Sequence, residues 1–259
     1  MQPNLRPTAL YPDLEGKGVL VTGGGSGIGA SITAAFVRQK ARVAFIDIAK
    51  EASDALVEQL KEGAAHKPLF LSCDLRDIEA LRAAVDAGRQ ALGDFAILVN
   101  NAGNDDRHPF QEVTPDYWDE RMAINQRPFF FAAQAVFPQM KRLGGGSIIN
   151  LGSIVWRLKQ SGLPAYSVAK ASVHGLTRSL AREFGAFGIR VNTLSPGAVW
   201  TDRQMRLWYG PELEREIMSG QCLKERIQPE DVSDMALFLG SNASSKCTAQ
   251  EFIIDGGWS

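Results

Sequence analysis

Seven short apolar runs alternate with helical segments along the chain, and this alternation limits the possible folds more than any other feature. The runs are continuously apolar, as expected of parallel strands that helices cover on both faces. Strands that alternate with helices predict consecutive βαβ units. We therefore predict an α/β fold: a single-domain, Rossmann-type, doubly wound sheet of seven parallel strands with helices on both faces. The predicted strands are Val19–Val21, Arg42–Ile48, Leu69–Leu71, Phe95–Val99, Ser147–Ser153, Ile189–Leu194 and Phe252–Ile254.

The segments between these runs carry helical periodicity or end at glycine, as helices often do. A chain of 259 residues suits one domain, 1–259. We expect a segment at about 200–225 to form a lid over the substrate, as closing segments do in many enzymes. The predicted helices are Ser31–Gln39, Lys50–Glu62, Asp77–Leu92, Pro115–Leu143, Ala165–Phe184 and a longer excursion, Asp202–Gly240, which Gly210, Pro211, Gln228 and Pro229 interrupt.

Charge and cysteine usage exclude several classes of partner. The formal net charge is -1 and like charges do not cluster, which argues against a nucleic-acid or acidic-lipid partner. Cys73, Cys222 and Cys247 lack the spacing of a metal site, so we expect reduced thiols and no metal. The first residues lack the apolar core of a signal peptide, and no apolar stretch approaches the length of a membrane span. We expect a cytoplasmic protein with no membrane partner.

The glycine-rich sequence TGGGSGIG, Thr22–Gly29, lies directly after a predicted strand and before a helix. Glycine permits a tight turn and a close approach to a pyrophosphate, and the following helix offers free N–H groups to that anion. Glycine clusters also make ordinary turns, so the motif alone is weak and its position strengthens it. The predicted dinucleotide contacts here are Gly23, Ser26, Gly27, Ile28 and Gly29.

Asp47 ends the second strand, 18 residues after Gly29. A carboxylate at this position accepts hydrogen bonds from the adenosine ribose hydroxyls and repels a 2′-phosphate. An Arg or Lys at position 26 or 48 would reverse this preference, but these positions are Ser26 and Ile48. Lys50 lies nearby. We therefore predict NAD, rather than NADP, as the cofactor.

Asp74 follows the third strand and has two interpretations that the residues alone leave open. Its carboxylate either accepts a hydrogen bond from the adenine amino group or caps the helix that begins near Asp77.

Tyr166 and Lys170 stand four residues apart in a predicted helix, so their side chains share one face. A phenol with a pKa of about 10 is a poor base at neutral pH. A neighbouring ammonium favours the phenolate, and lowering this pKa by roughly three units corresponds to about 4 kcal/mol. Ser153, at the end of the fifth strand, would hold the reacting oxygen. Tyr and Lys at this spacing also occur as solvated pairs, so the specificity lies in the combination with Ser153 and the glycine turn.

These motifs resemble the short-chain dehydrogenase/reductase family over nearly the whole chain. The resemblance implies that Tyr166 is the acid/base, that Ser153 stabilises the substrate oxygen and that Lys170 binds the nicotinamide ribose and tunes Tyr166. It also implies that Asn125 positions a water in a proton relay, that Thr201 contacts the carboxamide, and that the protein is a homotetramer. The matching elements are Thr22–Gly29, NNAG (Asn100–Gly103), Asn125, Ser153 with Tyr166 and Lys170, SPG (Ser195–Gly197) and IDGG (Ile254–Gly257). The remaining predicted cofactor contacts are Asp47, Asp74, Leu75, Asn101, Ala102, Gly103, Tyr166, Lys170, Pro196, Gly197, Val199 and Thr201.

Three longer strings, Val99–His108, Tyr117–Arg121 and Gln221–Ile227, resemble a narrower group, the bacterial aldose 1-dehydrogenases, including those that act on D-xylose. This resemblance implies oxidation of a cyclic aldose, a pentose or related sugar such as D-xylose, L-arabinose or D-galactose, at C1 to the aldonolactone, with NAD reduced.

The residue chemistry is compatible with a sugar substrate. Polar residues after the fourth strand would supply directional hydrogen bonds, and aromatic residues after the fifth and sixth strands would pack on the C–H face of a sugar. The alternatives are a solvated loop with core tryptophans, a sugar-acid or deoxy-keto sugar-acid dehydrogenase in which Arg107 holds the carboxylate, and a non-catalytic NAD-binding protein. The predicted substrate contacts are Asn104, Asp105, Arg107, Ser153, Trp156, Tyr166, Gln204 and Trp208.

Overall fold

The structure, a computed structural model, describes residues 9–259. Seven strands form one sheet in the order β3-β2-β1-β4-β5-β6-β7, and each neighbouring pair is parallel. All carboxyl ends therefore meet at one edge, as the predicted fold requires. The strands are β1 (Gly18–Thr22), β2 (Arg42–Asp47), β3 (Leu69–Ser72), β4 (Phe95–Asn100), β5 (Gly146–Leu151), β6 (Ile189–Pro196) and β7 (Glu251–Ile254).

Helices cover both faces of this sheet and bury two apolar cores. One core joins α1 and α9 to the sheet through residues such as Phe36 and Leu237. The other joins α3, α5 and α6 through residues such as Leu81, Val136 and Leu180. The predicted doubly wound α/β fold is confirmed. The helices are α1 (Gly27–Arg38), α2 (Lys50–Lys61), α3 (Ile78–Leu92), α4 (Pro115–Asn125), α5 (Arg127–Arg142), α6 (Pro164–Phe184), α7 (Asp202–Leu207), α8 (Pro211–Gly220) and α9 (Pro229–Gly240).

Two helices differ from the prediction for reasons that lie in the sequence. α1 begins at Gly27 rather than Ser31, because the glycine turn itself enters the helix. The single helix predicted over Pro115–Leu143 is two helices, α4 and α5, separated at Gln126. Pro128 explains the break, because its ring clashes with a preceding helical carbonyl and restricts the residue before it.

No helix in the part of the chain that the structure describes is both long and apolar enough to span a bilayer.

Candidate active site

The glycine turn between β1 and α1 is too tight for any side chain at Gly29. A Cβ atom there would collide with the Gly23 carbonyl oxygen and lie 2.6 Å from the Asn101 Nδ2 atom. Asn101 holds the turn from the end of β4, since its Nδ2 donates to the carbonyls of Gly23 at 2.8 Å and Thr22 at 3.1 Å. Gly23 has a φ of 64°, which favours glycine, and lies against Ala102.

Ser26 occupies the N-cap position of α1, and within the described residues its side chain makes no capping hydrogen bond. Its hydroxyl and the first N–H groups of a twelve-residue helix therefore face an exposed turn, with Gly27 and Ile28 next in the chain. This arrangement suits a phosphate group, because helix N-termini carry unpaired donors and a positive partial charge.

Asp47 is held so that both carboxylate oxygens lie at the end of β2. Its Oδ2 accepts from the Gly25 N–H at 2.8 Å and its Oδ1 from the Ala49 N–H at 2.9 Å. Lys50 forms an ion pair with Asp54 at 2.5 Å, one helical turn along α2. The nearby cation that argued for NADP is thus engaged elsewhere, while Asp47 is half-buried beside the glycine turn.

Asp74 does not cap α3, so that interpretation is wrong. The N-cap is Asp77, whose Oδ1 accepts from the Ala80 N–H at 3.0 Å. Asp74 instead accepts from the Arg76 backbone at 2.9 Å and pairs with its guanidinium at 2.6 Å. The hydrogen bonds from Arg76 hold the Asp74 pKa below its usual range. Its neighbour Leu75 is buried.

The turn after β6 faces the glycine turn across a narrow gap. A Cβ atom at Gly27 would lie 3.4 Å from the Thr201 Cγ2 atom. Gly197 is fixed by a hydrogen bond from its N–H to the Ile254 carbonyl at 2.8 Å, after Pro196 ends β6. Val199 pairs with Ile227 in an isolated bridge. The structure thus brings the predicted contacts after β6 to the same site as the glycine turn.

Ser153, Tyr166 and Lys170 converge at the carboxyl end of β5. The Lys170 Nζ donates to the Leu151 carbonyl at 2.8 Å and lies 5.7 Å from the centre of the Tyr166 ring. It also lies 4.9 Å from the centre of the Phe129 ring. Ser153 lies close enough to the Tyr166 hydroxyl to lower the pKa of that phenol. The catalytic side chains predicted from β5 and α6 therefore form one cluster.

The pKa values of this cluster differ from the sequence-based expectation. Desolvation and the nearby Asp105 carboxylate raise the pKa of Tyr166, against the lowering effects of the Ser153 side chain and of Arg203. Burial lowers the pKa of Lys170 to about 8, although Asp105 opposes this shift. The expected lowering of the Tyr166 pKa by Lys170 is therefore wrong for this arrangement, because burial disfavours both charged forms.

Asn125 is the last residue of α4 and fixes the chain after β4. Its Oδ1 accepts from the Asn104 N–H at 2.7 Å, and its Nδ2 donates to the carbonyls of Asn104 at 3.1 Å and Arg121 at 3.0 Å. Gly103 lies between it and Lys170, since a Cβ atom there would be 3.2 Å from the Asn125 Oδ1 and 3.4 Å from the Lys170 Nζ. The break between α4 and α5 thus places Asn125 beside the cluster.

The polar loop after β4 is tied to the segment between β6 and α9. The Asp105 carboxylate accepts from the Gln204 Nε2 at 2.6 Å and pairs with Arg203. Asp106 pairs with Arg203 at 2.6 Å and with the buried Arg121 at 3.5 Å. The interpretation as a solvated loop is therefore wrong for these residues.

The same loop is also anchored internally. The Asn104 Oδ1 accepts from the Asp106 N–H at 2.8 Å. His108 is buried, and its Nδ1 lies 2.8 Å from the Tyr117 hydroxyl, a hydrogen bond between the loop and α4. The His108 N–H donates to the Gly162 carbonyl at 2.8 Å, which joins the loop to the segment before α6. The loop is therefore positioned against both elements that flank the cluster of Ser153, Tyr166 and Lys170.

Aromatic side chains from the excursion complete this side of the site. The Arg107 guanidinium lies 5.2 Å from the centre of the Trp208 ring, and Trp200 packs edge-on against Tyr209 at 4.7 Å. Among the described residues, the buried Trp208 Nε1 finds no hydrogen-bond acceptor. Burial and the nearby Asp105 raise the pKa of Tyr209.

Trp156 is the predicted substrate residue that lies apart from this group. Its ring packs edge-on against His174 at 5.3 Å and beneath the Arg157 guanidinium at 4.7 Å. These residues line a cleft of about 250 Å³ that also includes Glu251 of β7. The short segment after Ser153 turns this ring toward α6 and β7, so Trp156 does not join Asp105 and Trp208.

Arg203 is the site residue that sequence reasoning missed. It lies in the excursion, 98 residues from its partner Asp105. Nothing in its neighbourhood distinguishes it from the twelve other charged residues of Asp202–Gly240. The acidic pair Asp105 and Asp106 was the available signal, because two adjacent carboxylates at the edge of a site call for a cation.

A parallel doubly wound sheet, a glycine turn that fits a pyrophosphate, and a Ser–Tyr–Lys cluster at the same edge define a dinucleotide-dependent oxidoreductase. The chain belongs to the short-chain dehydrogenase/reductase family, as its motifs predict: residues 23–259 match the family described as enoyl-(acyl carrier protein) reductase. The cofactor class is a nicotinamide dinucleotide.

Relatives and a solved structure support this assignment. The chain is 51% identical to D-xylose 1-dehydrogenase of Caulobacter vibrioides, over 97% of this chain and 99% of that one. It is 49% identical to the probable galactose dehydrogenase GalD of Rhizobium meliloti, over 97% and 98%. The structure of a 3-oxoacyl-[acyl-carrier protein] reductase with bound NAD from Brucella melitensis superposes with a TM-score of 0.87, at 31% identity over 96% and 93%.

Proposed function

We propose that the protein oxidises a cyclic aldose at C1 to the aldonolactone, with NAD as the hydride acceptor. The observation that carries this proposal is the convergence of Ser153, Tyr166 and Lys170 with the polar pair Asp105 and Gln204 at one sheet edge. The names of the Caulobacter and Rhizobium relatives support a sugar substrate. An intact catalytic cluster also argues against a non-catalytic NAD-binding protein, which has no use for it.

The chain's own residues would hold the cofactor in two places. Ser26 and the first amides of α1 would bind the pyrophosphate, and Asp47 would accept hydrogen bonds from the ribose hydroxyls. Asp47 would also repel a 2′-phosphate, while Lys50 is paired with Asp54, which together favour NAD over NADP. Lys170 and Thr201 would contact the nicotinamide half, which when bound supplies the hydride acceptor.

Proton transfer falls to Tyr166. Ser153 would donate a hydrogen bond to the anomeric oxygen. The Tyr166 phenolate would accept the proton from that oxygen as C1 loses its hydride. Because the pKa of Tyr166 is raised, this base form is scarce at neutral pH and oxidation should quicken as the pH rises. Lys170 lies beside Tyr166 and has a pKa of about 8, so its ammonium group also loses its proton as the pH rises above neutral.

Sugar hydroxyl groups would meet partners from both the β4 loop and the excursion. Asp105 offers a carboxylate acceptor, and the Trp208 Nε1 offers a buried donor. The Trp208 ring, backed by Arg107, offers a face for the sugar's C–H groups. Asn104 lies next to them. The segment Asp202–Gly220, which follows β6, would act as the lid over the substrate.

A sugar-acid dehydrogenase is the second candidate. Arg107 is exposed and, within the described part of the chain, forms no ion pair, so its guanidinium is available to a carboxylate. This candidate keeps the chemistry of Tyr166 and differs only in the substrate.

NADH absorbance during incubation with a panel of substrates tests the proposal. The panel contains D-xylose, L-arabinose, D-galactose, their aldonic acids and simple secondary alcohols, each with NAD and then NADP. We expect turnover of an aldose with NAD. Silence with every aldose but activity on a sugar acid would replace the proposed substrate with the second candidate.

Tyr166→Phe tests the chemical role of the phenol. We expect the variant to bind NAD as the wild type does, because the ring remains, while turnover falls by at least about a hundredfold, the usual contribution of a general base. Fluorescence titration with NADH measures binding, and NADH formation measures turnover. Turnover at the wild-type rate would contradict the assignment.

A further inference from the structure

The helix α6 begins without a polar cap from its own N-cap residue. That residue is Leu163, and its apolar side chain has no atom that accepts a hydrogen bond. Pro164 has no N–H, so the Ala165 N–H is the first backbone donor that the helix leaves free. Ala165 is fully buried, which keeps water away from this donor. The acceptor for it must therefore come from another part of the chain.

His108 of the β4 loop supplies this acceptor. Its Nε2 atom lies 3.4 Å from the Ala165 nitrogen and accepts a hydrogen bond from it, while its Nδ1 atom lies 3.0 Å from the Asp106 carbonyl oxygen. A carbonyl oxygen only accepts and a backbone N–H only donates. Nδ1 therefore carries the proton and Nε2 carries none. The two contacts together select the one neutral tautomer of His108 that caps α6.

A closed circuit of side chains holds the His108 ring in this orientation. Its Nδ1 atom lies 2.8 Å from the Tyr117 hydroxyl of α4. The Arg121 guanidinium lies 5.1 Å from the centre of the Tyr117 ring and pairs with the Asp106 carboxylate at 3.5 Å, which leads back to the β4 loop. His108 and Arg121 are only 8% and 6% exposed. The loop and α4 thus fix the ring independently of the helix that it caps.

We propose that His108 is a positioning residue that caps α6 and fixes the Tyr166 phenol relative to the β4 loop. Tyr166 follows Ala165 directly and lies in the first turn of the helix, where the chain frays when a cap is lost. Lys170 lies one turn further along, and its Nζ is held by the Leu151 carbonyl at 2.8 Å. Loss of the cap would thus displace the phenol and leave the lysine in place. This inference rests on the proposed role of Tyr166, but not on the identity of the sugar.

Substitutions of His108 separate the roles of its two ring nitrogens. The amide of Asn lies where Nδ1 lies and does not reach α6, whereas the longer side chain of Gln places its amide oxygen near the position of Nε2. His108→Met has a length similar to that of His108→Gln and lacks a strong acceptor. The three variants therefore distinguish an acceptor at Nε2 from the volume of the ring.

The turnover number and the affinity for the cofactor test the positioning role. We expect His108→Gln to retain kcat within about twofold, and His108→Asn and His108→Met to lose at least about tenfold, because a small displacement of a reacting group lowers the rate steeply. The Kd for NADH, measured by fluorescence titration, should remain at the wild-type value in all three variants. An equal loss of kcat in all three would overturn the proposal, since it would show that only the ring volume matters. Wild-type kcat in His108→Asn would also overturn it.

Hydrogen exchange of peptides that cover residues 163–167 gives a readout that needs no substrate. We expect these amides to exchange about fivefold faster in His108→Asn than in the wild type, the usual effect of losing a cap. Peptides of α9 should exchange at the wild-type rate, which separates the loss of a cap from a general loss of stability. In His108→Gln the exchange of both regions should match the wild type.

His66→Asn is the matched control, because His66 is exposed after α2 and the substitution is the same. It should change neither kcat nor the exchange of residues 163–167. Equal exchange of these residues in the wild type and His108→Asn would overturn the cap. A wild type that oxidises no aldose would contradict the proposed substrate, whereas the exchange comparison would still decide whether His108 caps α6.

Discussion

The side chain of Lys170 is 2% exposed and is enclosed by the Leu151 carbonyl and the Phe129 ring. Such a setting disfavours a positive charge, and the pKa of the group falls from 10.5 to about 8. At neutral pH the ammonium therefore remains charged in a place that costs free energy. In the proposed mechanism, the same exclusion of water would strengthen the interactions among the reacting groups.

This burial predicts a pH dependence of stability. Between about pH 8 and 10 the folded protein binds fewer protons at Lys170 than the unfolded chain does, so the free energy of unfolding rises with pH. This gain in the free energy of unfolding is complete above the pKa that Lys170 has in the unfolded chain. It is lost as the pH falls through about 8, the pKa of Lys170 in the folded protein. The full effect amounts to about 3 kcal/mol. In Lys170→Met, we expect this rise to disappear from urea unfolding curves collected at several pH values.

Lys50→Met serves as the control, since Lys50 is exposed on α2. It should keep the wild-type slope of stability against pH. An identical slope in the wild type and Lys170→Met would show that Lys170 titrates normally in the folded protein.

At the scale of elements, the start of α3 shows how two neighbouring acids divide their roles. Asp77 caps the helix through the Ala80 N–H, whereas Asp74 pairs with Arg76 in an exposed position. An N-cap carboxylate satisfies a donor that the helix leaves free, while an exposed ion pair is screened by water. The two positions should thus differ in their effect on stability.

Asp77→Ala should lower the free energy of unfolding by about 1 kcal/mol, the usual value of an N-cap side chain. Asp74→Ala should lower it by less and serves as the matched comparison. Thermal and urea unfolding measure both. A larger loss in Asp74→Ala than in Asp77→Ala would contradict the observed cap.

The elements themselves were largely predictable, and their ends were less so. Continuous apolar runs located all seven strands, because buried parallel strands expose neither face to water. Pro128 indicates the division of α4 from α5, but strong helical periodicity on both sides favoured a single helix. The cap of α3 was ambiguous, since Asp74 and Asp77 both precede the helix and only the backbone path selects one.

At the scale of the whole molecule, the site assembles from segments far apart in sequence. The glycine turn and the Tyr166–Lys170 pair were predictable because each is local. Arg203 and the displaced ring of Trp156 were not, since their partners, Asp105 and His174, are selected by the three-dimensional arrangement of loops. Local spacing therefore predicts chemistry better than it predicts substrate contacts.

Assembly is also a property of the whole molecule. Trp118 of α4, Phe130 of α5 and Val168 of α6 expose 36%, 42% and 47% of their surfaces. Exposed apolar side chains mark contacts between subunits where they form a contiguous patch. We propose the homotetramer that the family resemblance implies, with these helices in contact. Light scattering should give about four times the chain mass of 28.2 kDa, and Phe130→Glu should lower it. A wild-type monomer would contradict the proposal.

The pairing of Asp105 with Arg203 joins two stretches of chain that are 98 residues apart. Anyone who transplants substrate preference between relatives must therefore exchange both stretches together. A chimaera that receives a foreign loop after β4 but keeps its own α7 would meet a mismatched charge. A change of substrate preference thus requires matched changes in the β4 loop and in α7. It requires no change in the sheet beneath them.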